Sequence, residues 1–305
     1  MDISIIIPTY NRLWSLPKAV ESCRNAKCKV EIIVIDDGSS DGTMDWLQQQ
    51  KDIVTLQQEH WGKCWAVNKG FAFATGKYIK FLDSDDSITS GALDEQFAAA
   101  EANASDIVVS GYLLVDENGK QLSRQPWVAC DDFIAQQLGE CDSSHYSAYL
   151  FKRSFMEDIP HRPDFAFRDD RLLVIEAALK FPRVSIHNGF ALVHTSHTKS
   201  KLQLNQGMQK TVQDYQHLHI YKNILAQLAK KGELTERRKK ASVKALWPLC
   251  RWMAKHDLAD SIILFEWIKQ LDPDFKIPET GLLGFLYKSF GVNNTHRLLK
   301  IKRSF

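Results

Sequence analysis

The chain has 305 residues, of which 44% are hydrophobic and 25% are charged, with 15 glycines and 9 prolines. These proportions exclude collagenous, low-complexity and disordered classes and predict a folded protein with a sizeable core. The formal net charge of +2 conceals an acidic part, residues 1–197 with 19 basic and 28 acidic side chains, and a basic part, residues 198–305 with 20 and 9. Such asymmetry indicates that the basic part meets an anionic surface.

The six cysteines are scattered without a C-x-x-C pair, which argues against a zinc knuckle or a disulfide framework. The N-terminus enters a β-branched run at once, without the basic and apolar regions of a secretory signal. No run of 18 apolar residues predicts a membrane span. We therefore expect a cytoplasmic protein.

Short β-branched runs alternate with helical patterns over the first hundred residues. The predicted strands are 3–8, 30–35, 54–57 and 78–82, and the predicted helices are 16–25, 43–50 and 64–74. This order predicts a mostly parallel sheet covered by helices, and the nearly continuous apolar strands predict burial of both sheet faces. A further helix at 90–102 and a strand at 107–111 extend the pattern.

The pattern changes after residue 111. A hairpin turn is predicted at 116–119, a helix at 172–180 and a strand at 189–193. From residue 209 the sequence becomes helical and basic, with predicted helices at 209–230, 235–256, 261–271 and 282–290. The predicted fold class is therefore α/β with a helical C-terminal extension.

Polar side chains follow three of the predicted strands, at the sheet edge where parallel α/β proteins bind ligands. They are Pro8, Thr9, Tyr10 and Arg12 after the first strand, Asp36 and Asp37 after the second, and Asp83, Ser84, Asp85 and Asp86 after the fourth. Asp83 and Asp85 suit a hard divalent ion, and an acidic turn that caps the next helix is the alternative. Asp36 and Asp37 can accept from a ribose or a base N–H, or form a simple Asx turn.

Two further polar clusters lie in the second hundred residues. Asp169 and Asp170 stand between two arginines before a predicted helix, where carboxylates also stabilise a helix N-terminus without any catalytic role. His194 and His197 follow the predicted strand at 189–193. Zinc is not expected there, because no third soft ligand is near in sequence, and such a histidine pair is often structural.

Four segments in register, 4–12, 32–43, 68–70 and 76–86, resemble the family 2 glycosyltransferases of GT-A fold. The resemblance implies a Rossmann-like sheet with a nucleotide-sugar-binding half at 1–110, an acceptor-binding and catalytic half at 111–204, and a basic helical extension at 205–305. It implies an inverting glycosyltransferase that moves a sugar from a nucleotide sugar, a UDP-sugar, to a saccharide acceptor. The expected role is bacterial surface glycan synthesis, such as lipopolysaccharide, capsule or O-antigen.

The resemblance also assigns the donor site. The nucleotide-sugar-binding residues that it implies are Pro8, Thr9, Tyr10, Arg12, Asp36, Asp37, Lys63, Asn68, Asp83 and Ser84. Asp37, with Asp36 beside it, would accept from the uracil, and Asp83 would face the ribose or the sugar. Asp85 would bind Mn²⁺ or Mg²⁺, with His194 favoured over His197 as the histidine that completes the metal site. Relatives often have Arg where this chain has Val67, so either Lys63 or Lys69 would supply that charge, or the base and diphosphate contacts differ.

Catalysis is assigned to the acidic pair. Inverting members of the family carry a Glu-Asp pair whose Asp is the general base, and the matching residues here are Asp169 and Asp170. The resemblance therefore implies that Asp170 is the base and Asp169 its acidic neighbour. Trp127, His145 and Tyr146 are candidates to line an acceptor pocket.

Glycine-rich phosphate-binding loops are absent from the sequence. Their absence argues against Rossmann dinucleotide binding and P-loop chemistry, and against a sugar-nucleotidyltransferase, which needs such a loop for its triphosphate. A non-catalytic nucleotide-sugar or membrane-binding module is the other alternative, and it would bind without turnover.

The C-terminal helices combine cations with aromatic side chains. The first cluster comprises Arg237, Arg238, Lys239, Lys240, Lys244, Trp247, Arg251, Trp252 and Lys255. The second comprises Leu282, Phe285, Leu286, Tyr287 and Phe290, followed by the basic run at 297–303. Such helices can bind an anionic membrane surface, which would make the protein peripheral on the inner face of the cytoplasmic membrane and suit a lipid-linked acceptor. Equally, the aromatics can form the core of an ordinary helical subdomain. Nucleic acid is not expected, because the acidic N-terminal part would repel it.

Overall fold

The computed structural model describes residues 1–197 and 207–301. The chain forms two compact units, unit 1 with Met1–Ala129 and Ser143–Ser200 and unit 2 with Cys130–Asp142 and Lys201–Phe305. Sequence analysis places residues 130–142 in its second segment, whereas in the structure they belong to the helical unit. The functional assignment of the three predicted segments stays a prediction.

Unit 1 is an α/β unit built around one mixed sheet. Its strands are β1 (Ile3–Thr9), β2 (Val30–Asp36), β3 (Ile53–Gln57), β4 (Tyr78–Phe81), β5 (Ser87–Ile88), β6 (Ile107–Asp116), β7 (Gln121–Gln125), β8 (Leu150–Lys152) and β9 (Val184–Ser196). Its helices are α1 (Leu16–Cys23), α2 (Thr43–Gln48), α3 (Lys63–Phe73), α4 (Ala92–Asn103), α6 (Arg153–Met156) and α7 (Asp169–Ala178), with 3-10 turns at Tyr146–Ala148 and Pro163–Phe165. Helix α5 (Phe133–Leu138) belongs to unit 2.

The sheet runs in the order β3-β2-β1-β4-β8-β6-β9-β5, with β7 paired to β6. Strands β1 to β4 are mutually parallel, as predicted, and β8 joins β4 and β6 antiparallel. All seven residues of β1 are buried, which is typical of a strand covered on both faces. Helix α3 packs closely on this part of the sheet, since a Cβ on Gly70 would lie 2.5 Å from Ile35.

The remaining elements of unit 1 explain how its second half joins the sheet. The predicted hairpin is confirmed, because the Asp116 N–H donates to the Lys120 carbonyl across the turn between β6 and β7. The strand predicted at 189–193 is the end of a longer strand, β9, which pairs with both β6 and β5. Helix α7 begins at Asp169, three residues before the predicted start, so both predicted catalytic carboxylates lie in its first turn.

Unit 2 is helical, as predicted. Besides α5 it contains α8 (Gly207–Lys230), α9 (Glu236–Met253), α10 (Leu258–Leu271) and α11 (Gly281–Ile301), the last kinked at Gly291. Helix α5 is fixed to its neighbours by two bonds: Tyr221 Oη donates to the Leu138 carbonyl at 2.9 Å, and Arg238 Nε donates to Asp132 at 2.9 Å. No helix within the described ranges is long and apolar enough to cross a membrane.

The aromatic side chains of unit 2 divide between its core and its surface. Trp247 is 2% exposed, and its ring lies 5.5 Å from that of Tyr287, which is 4% exposed. For these two residues the subdomain-core alternative is correct. Trp252 and Phe285 are 43% and 61% exposed, so the surface alternative stays open for them.

Candidate active site

The loops that follow β1 and β2 are tied together at one edge of the sheet. The N–H of Asp37 donates to the Thr9 carbonyl at 2.8 Å, and the N–H of Asn11 donates to Ser39 Oγ at 2.8 Å. The Asn11 side chain accepts from the Ser40 N–H at 2.8 Å. The polar segments after the two strands therefore form one continuous rim.

Asp37 organises the loop that leads into α3. Its carboxylate is buried and accepts hydrogen bonds from Gln58 Nε2 at 2.7 Å, His60 Nδ1 at 2.9 Å, and the N–H groups of Trp61 and Gly62, each at 3.0 Å at the closest. Both oxygens are thus engaged by the protein. The predicted contact between Asp37 and uracil stays a prediction.

Asp36 and Thr9 hold unpaired polar atoms at the same edge. Asp36 is fully buried, and its Oδ2 accepts from the Ser39 N–H at 3.2 Å. Within the described ranges, Asp36 Oδ1 and Thr9 Oγ1 are buried without a hydrogen-bond partner. Pro8 is buried in β1 and shapes the strand end that carries Thr9. A buried carboxylate oxygen and a hydroxyl without partners are suited to receive polar groups of a ligand.

Tyr10 and Arg12 stand further out along the rim. The Tyr10 side chain is 41% exposed, and its ring stacks on His60 with centroids 3.8 Å apart and planes 18° apart. Arg12 Nη1 lies 3.5 Å from Asp85 Oδ2, and the guanidinium lies 5.4 Å from the Trp14 ring centroid. Arg12 therefore brings a cation to the acidic loop after β4, while Tyr10 presents a partly exposed aromatic face on the rim.

Each carboxylate of the acidic loop has a different partner. Asp83 Oδ1 accepts from Lys63 Nζ at 2.8 Å, Asp85 Oδ2 lies 2.9 Å from His197 Nε2, and Asp86 lies 3.0 Å from His194 Nδ1. Ser84 is buried between them. Helix α4 has Gly91 at its N-cap position and no side-chain cap bond. The acidic loop at 83–86 therefore does not cap α4, and the alternative that it is only a helix-capping turn is wrong.

Burial and charge act in opposite directions on these groups. Burial alone would raise the pKa of Asp83, but the charge and the hydrogen bond of Lys63 lower it to about 2. Burial raises the pKa of Asp86 to about 6, against the hydrogen bond from His194. Burial also lowers the pKa of His145 to about 4, so this imidazole is neutral at pH 7.

The arrangement of donor atoms fits a divalent cation. Ligand atoms of Asp86, His145 and His194 all lie within 4.8 Å of one another, and Asp85 lies on the same loop. Carboxylates and neutral imidazoles are ligands that such ions accept. The histidine at hydrogen-bond distance from Asp85 is His197, whereas His194 contacts Asp86. The metal ligands Asp85 and His194 stay a prediction, with His197 as the neighbour of Asp85.

The two carboxylates at the start of α7 have different surroundings. Asp169 is 3% exposed, and its Oδ2 lies 2.6 Å from Nδ1 of His161. The Asp170 side chain is 29% exposed, and both of its oxygens lie 3.3 Å from Lys63 Nζ. Arg168, at the cap position, makes no side-chain cap bond. The two aspartates are therefore first-turn residues, of which Asp170 is the accessible one.

Lys63 joins the two acidic clusters. Its Nζ contacts both Asp83 and Asp170 and lies 5.1 Å from the ring centroid of Tyr146. Burial alone would lower the pKa of Lys63, but Asp170 and Asp83 hold it well above its usual range. Burial raises the pKa of Asp170, and the charge of Lys63 opposes that shift. The site is thus a cation between two carboxylates that are 87 positions apart in the chain.

Helix α3 carries both candidate lysines, and Lys63 is the one that lies among the carboxylates. Lys69 Nζ donates to the Gln57 carbonyl at 2.6 Å, away from the acidic clusters, and Val67 is buried. Asn68 donates to the carbonyl of His161 and accepts from its N–H, each at 2.8 Å. Asn68, expected at the nucleotide sugar, therefore fixes the backbone of His161 by two hydrogen bonds.

Sequence reasoning did not assign a role to two residues of the site. Asp86 could have been found, because it directly follows Asp85. His161 lies eight residues before Asp169 in a segment without regular pattern, so no sequence signal marked it. His145 and Tyr146, expected near an acceptor, lie beside His194 and Lys63 respectively.

Residues 4–160 match glycosyl transferase family 2. The chain is 34% identical over 178 residues to the GalNAc(5)-diNAcBac-PP-undecaprenol beta-1,3-glucosyltransferase of Campylobacter jejuni, covering 53% of this chain and 55% of that protein. It is 33% identical over 128 residues to the putative teichuronic acid biosynthesis glycosyltransferase TuaG of Bacillus subtilis, covering 40% of this chain and 51% of that protein. The match spans about half the length of each relative.

Among solved structures the chain is similar to S. aureus TarS 1-349. The TM-score is 0.65 at 17% identity, covering 100% of this chain and 91% of that chain. The same protein in complex with UDP-GlcNAc matches with a TM-score of 0.55 at 15% identity, covering 100% and 92%. At such identity the likeness shows a shared fold.

Proposed function

Because the chain belongs to glycosyl transferase family 2, we propose that it transfers a sugar from a UDP-sugar to a hydroxyl group of a saccharide acceptor. The match over residues 4–160 and the likeness to TarS confirm the predicted family and the GT-A fold. The site residues and the inverting outcome are proposed from the geometry described above, and the substrates are proposed from the similar proteins.

One observation carries the proposal: Lys63 Nζ lies 2.8 Å from Asp83 and 3.3 Å from Asp170. Asp83 follows β4 at the sheet edge where α/β proteins bind nucleotides, and Asp170 begins α7. A donor bound at Asp83 and a base at Asp170 would therefore be separated only by the ammonium group of Lys63, which contacts both carboxylates. This proximity is what direct transfer between two bound sugars requires.

Asp170 is the proposed general base. An acceptor hydroxyl is a weak nucleophile, so a carboxylate within hydrogen-bond reach must take its proton as the oxygen attacks the anomeric carbon. The raised pKa of Asp170 makes it a stronger base than a solvent-exposed aspartate. The bond to the nucleotide breaks as the new bond forms on the opposite face, so the anomeric configuration inverts.

The donor site is proposed at the rim after β1 and β2, together with the acidic loop after β4. Tyr10 offers an aromatic face, and Asp36 Oδ1 and Thr9 Oγ1 offer buried polar atoms that lack partners within the described ranges. Solved complexes of TarS with UDP and with UDP-GlcNAc support a uridine nucleotide as the donor. Asp85 with His194 or His197 would hold Mn²⁺ or Mg²⁺. When bound, such an ion would offset negative charge on the leaving diphosphate.

The acceptor class is proposed from the relatives. The C. jejuni protein is named for a glycan linked through PP-undecaprenol, and the B. subtilis protein is named for teichuronic acid biosynthesis. Both names support a bacterial surface glycan that grows on a lipid-linked saccharide.

The test of transfer is a product analysis with a panel of UDP-sugars and oligosaccharide acceptors, with Mn²⁺ present. Proton NMR of the product reads the anomeric configuration directly. We expect a product whose configuration is opposite to that of the donor. A product with retained configuration would contradict the role of Asp170, and binding of UDP without any transfer would favour the non-catalytic module.

Membrane contact through unit 2 is part of the proposal. Leu282, Phe285 and Phe290 of α11 are 76%, 61% and 50% exposed, and the neighbouring Lys288 is exposed. With about 3.6 residues per turn, Leu282 and Phe285 are neighbours on one face of the helix, and Phe290 lies about 80° around the helix from Leu282. Apolar side chains with nearby cations bind anionic lipid surfaces.

Sedimentation with vesicles of phosphatidylglycerol and phosphatidylcholine tests this contact. Leu282→Ser with Phe285→Ser is expected to reduce the bound fraction severalfold. Leu122→Ser is the matched control, because Leu122 is 52% exposed but lies on β7 of unit 1. Equal binding of all three proteins would assign α11 to an ordinary helical surface.

A further inference from the structure

We infer that His161 is a positioning residue: its imidazole holds Asp169 as a carboxylate beside Asp170 and thereby makes Asp170 a stronger base. The inference rests on the proposed role of Asp170 in sugar transfer. His161 does not contact the reacting atoms in this account, because it acts through Asp169.

The geometry fixes the imidazole against one oxygen of Asp169. The His161 and Asp169 side chains are 2% and 4% exposed, and Nδ1 lies 2.6 Å from Oδ2. The ring packs edge-on against Phe81 at 5.0 Å and Tyr146 at 6.0 Å between centroids. Asn68 holds the His161 backbone through two hydrogen bonds of 2.8 Å. Ring, backbone and carboxylate are thus all held in one arrangement.

The other ring nitrogen identifies the tautomer. His161 Nε2 is buried without a hydrogen-bond partner within the described part of the chain. A proton on Nε2 would be a buried donor without an acceptor, which is strongly disfavoured. The single proton of a neutral imidazole therefore lies on Nδ1 and is donated to Asp169. A neutral donor of this kind orients a carboxylate and keeps it ionised without cancelling its charge.

The charge kept on Asp169 acts on Asp170. The titratable groups that face Asp170 are Lys63 from α3, Asp83 from the loop after β4, Tyr146 from the 3-10 turn and Asp169 on its own helix. Lys63 lowers the pKa of Asp170, whereas Asp169 and Asp83 raise it. The hydrogen bond from His161 lowers the pKa of Asp169 against the effect of burial. An ionised Asp169 therefore opposes ionisation of Asp170 and increases its affinity for a proton.

The test is the acid limb of the pH profile of kcat/KM for sugar transfer, where activity appears as Asp170 loses its proton. His161→Leu removes the donor, so Asp169 takes up a proton more easily and its charge is lost. The acid limb is then expected to move to lower pH by about one unit, with a lower plateau rate. Asp169→Asn is expected to move the limb in the same direction. The double variant should show no further shift, because His161 acts through Asp169.

His161→Asn is the conservative partner, since an asparagine amide can place an N–H near the position of Nδ1. It is expected to return the acid limb to its wild-type position. An acid limb that stays in place in both His161→Leu and Asp169→Asn would overturn the inference, as would a limb that moves to higher pH. Thermal unfolding and UDP binding check that each variant is folded.

A second measurement does not depend on turnover. Nitrogen NMR of the wild-type protein, with the His161 signal assigned by its loss in His161→Asn, is expected to show a neutral imidazole protonated at Nδ1. An Nε2-protonated ring or an imidazolium at pH 7 would overturn the inference. If no UDP-sugar is transferred, the proposed function fails, but the NMR result still decides the state of His161. If transfer occurs and the acid limb does not move, the inference alone fails.

Discussion

The acidic edge of unit 1 and the basic helix α9 of unit 2 look alike as sequences, since each is a dense run of one charge. In the structure their partners differ. The cation between Asp83 and Asp170 comes from a third segment, so the site is assembled across the sheet. Arg237 and Arg238 instead pair with Asp131, Asp132 and Glu140 of the same unit. A charge run therefore indicates function only when its partners are known.

The basic and the apolar side chains of unit 2 differ in how available they are to a membrane surface. The paired arginines of α9 are engaged by acidic side chains, so we expect the exposed apolar side chains of α11 to contribute more to membrane contact than the basic cluster does. The net positive charge of residues 198–305 would add an attraction to anionic lipid that is screened by salt.

The largest expected effect is at the acidic edge. Asp170→Asn keeps the shape of the side chain but removes the base, so transfer is expected to fall by about 10²–10⁴-fold while UDP binding is kept. Steady-state kinetics and calorimetry measure the two quantities. Asp164→Asn is the matched control, because Asp164 is an exposed partner of Arg162 five residues before Asp169. Full activity in Asp170→Asn would remove the proposed base.

The next effect concerns stability in unit 2. Arg238 is 8% exposed and pairs with Asp132 at 2.9 Å and Glu233 at 2.7 Å. Arg238→Ala is expected to lower the free energy of unfolding by about 1–3 kcal/mol, because the partly buried carboxylate of Asp132 loses a charged donor. Arg237→Ala, whose side chain is 41% exposed, is expected to leave the melting temperature nearly unchanged. Equal losses in both variants would contradict the distinction between buried and exposed pairs.

A smaller expected effect is a shift of the pKa of Asp170, which Lys63 and Asp169 influence in opposite directions. Lys63 lowers the pKa of Asp170, so Lys63→Gln is expected to raise that pKa and move the acid limb of kcat/KM to higher pH. The shift is opposite in sign to that expected for Asp169→Asn. Lys69→Gln, on the same helix but bonded to the Gln57 carbonyl, is the control and should leave the limb in place. A shift to lower pH in Lys63→Gln would show that Lys63 does not act on Asp170 by its charge.

Much of the parallel part of the sheet could be predicted from the sequence. Strands β1, β2 and β4 are nearly continuous apolar runs with most of their residues buried, and such runs are recognisable because both faces of the strand are covered. Strand β3 was also predicted, although its residues are half-buried or exposed. The strands β5 and β8 were not predicted, since they have two and three residues and exist only through pairing with β9, β4 and β6.

The residues of the candidate active site could be predicted individually, but the contacts between them could not. The resemblance placed Asp83 and Asp170 in one site, but local pattern could not reveal that Lys63 would contact both. The pairing of Asp85 with His197 and of Asp86 with His194 depends on the register of β9 against β5, which no local signal encodes. His161 was missed for the same reason, because its role arises from tertiary contact with Asp169.

The most direct test of the donor site is calorimetric binding of UDP with and without Mn²⁺, in the wild-type protein and in Asp85→Ala. The account predicts binding that strengthens with Mn²⁺ in the wild type and loses that dependence in Asp85→Ala. Metal-dependent binding that is unchanged in Asp85→Ala would contradict the assignment of the acidic loop to the diphosphate and its ion.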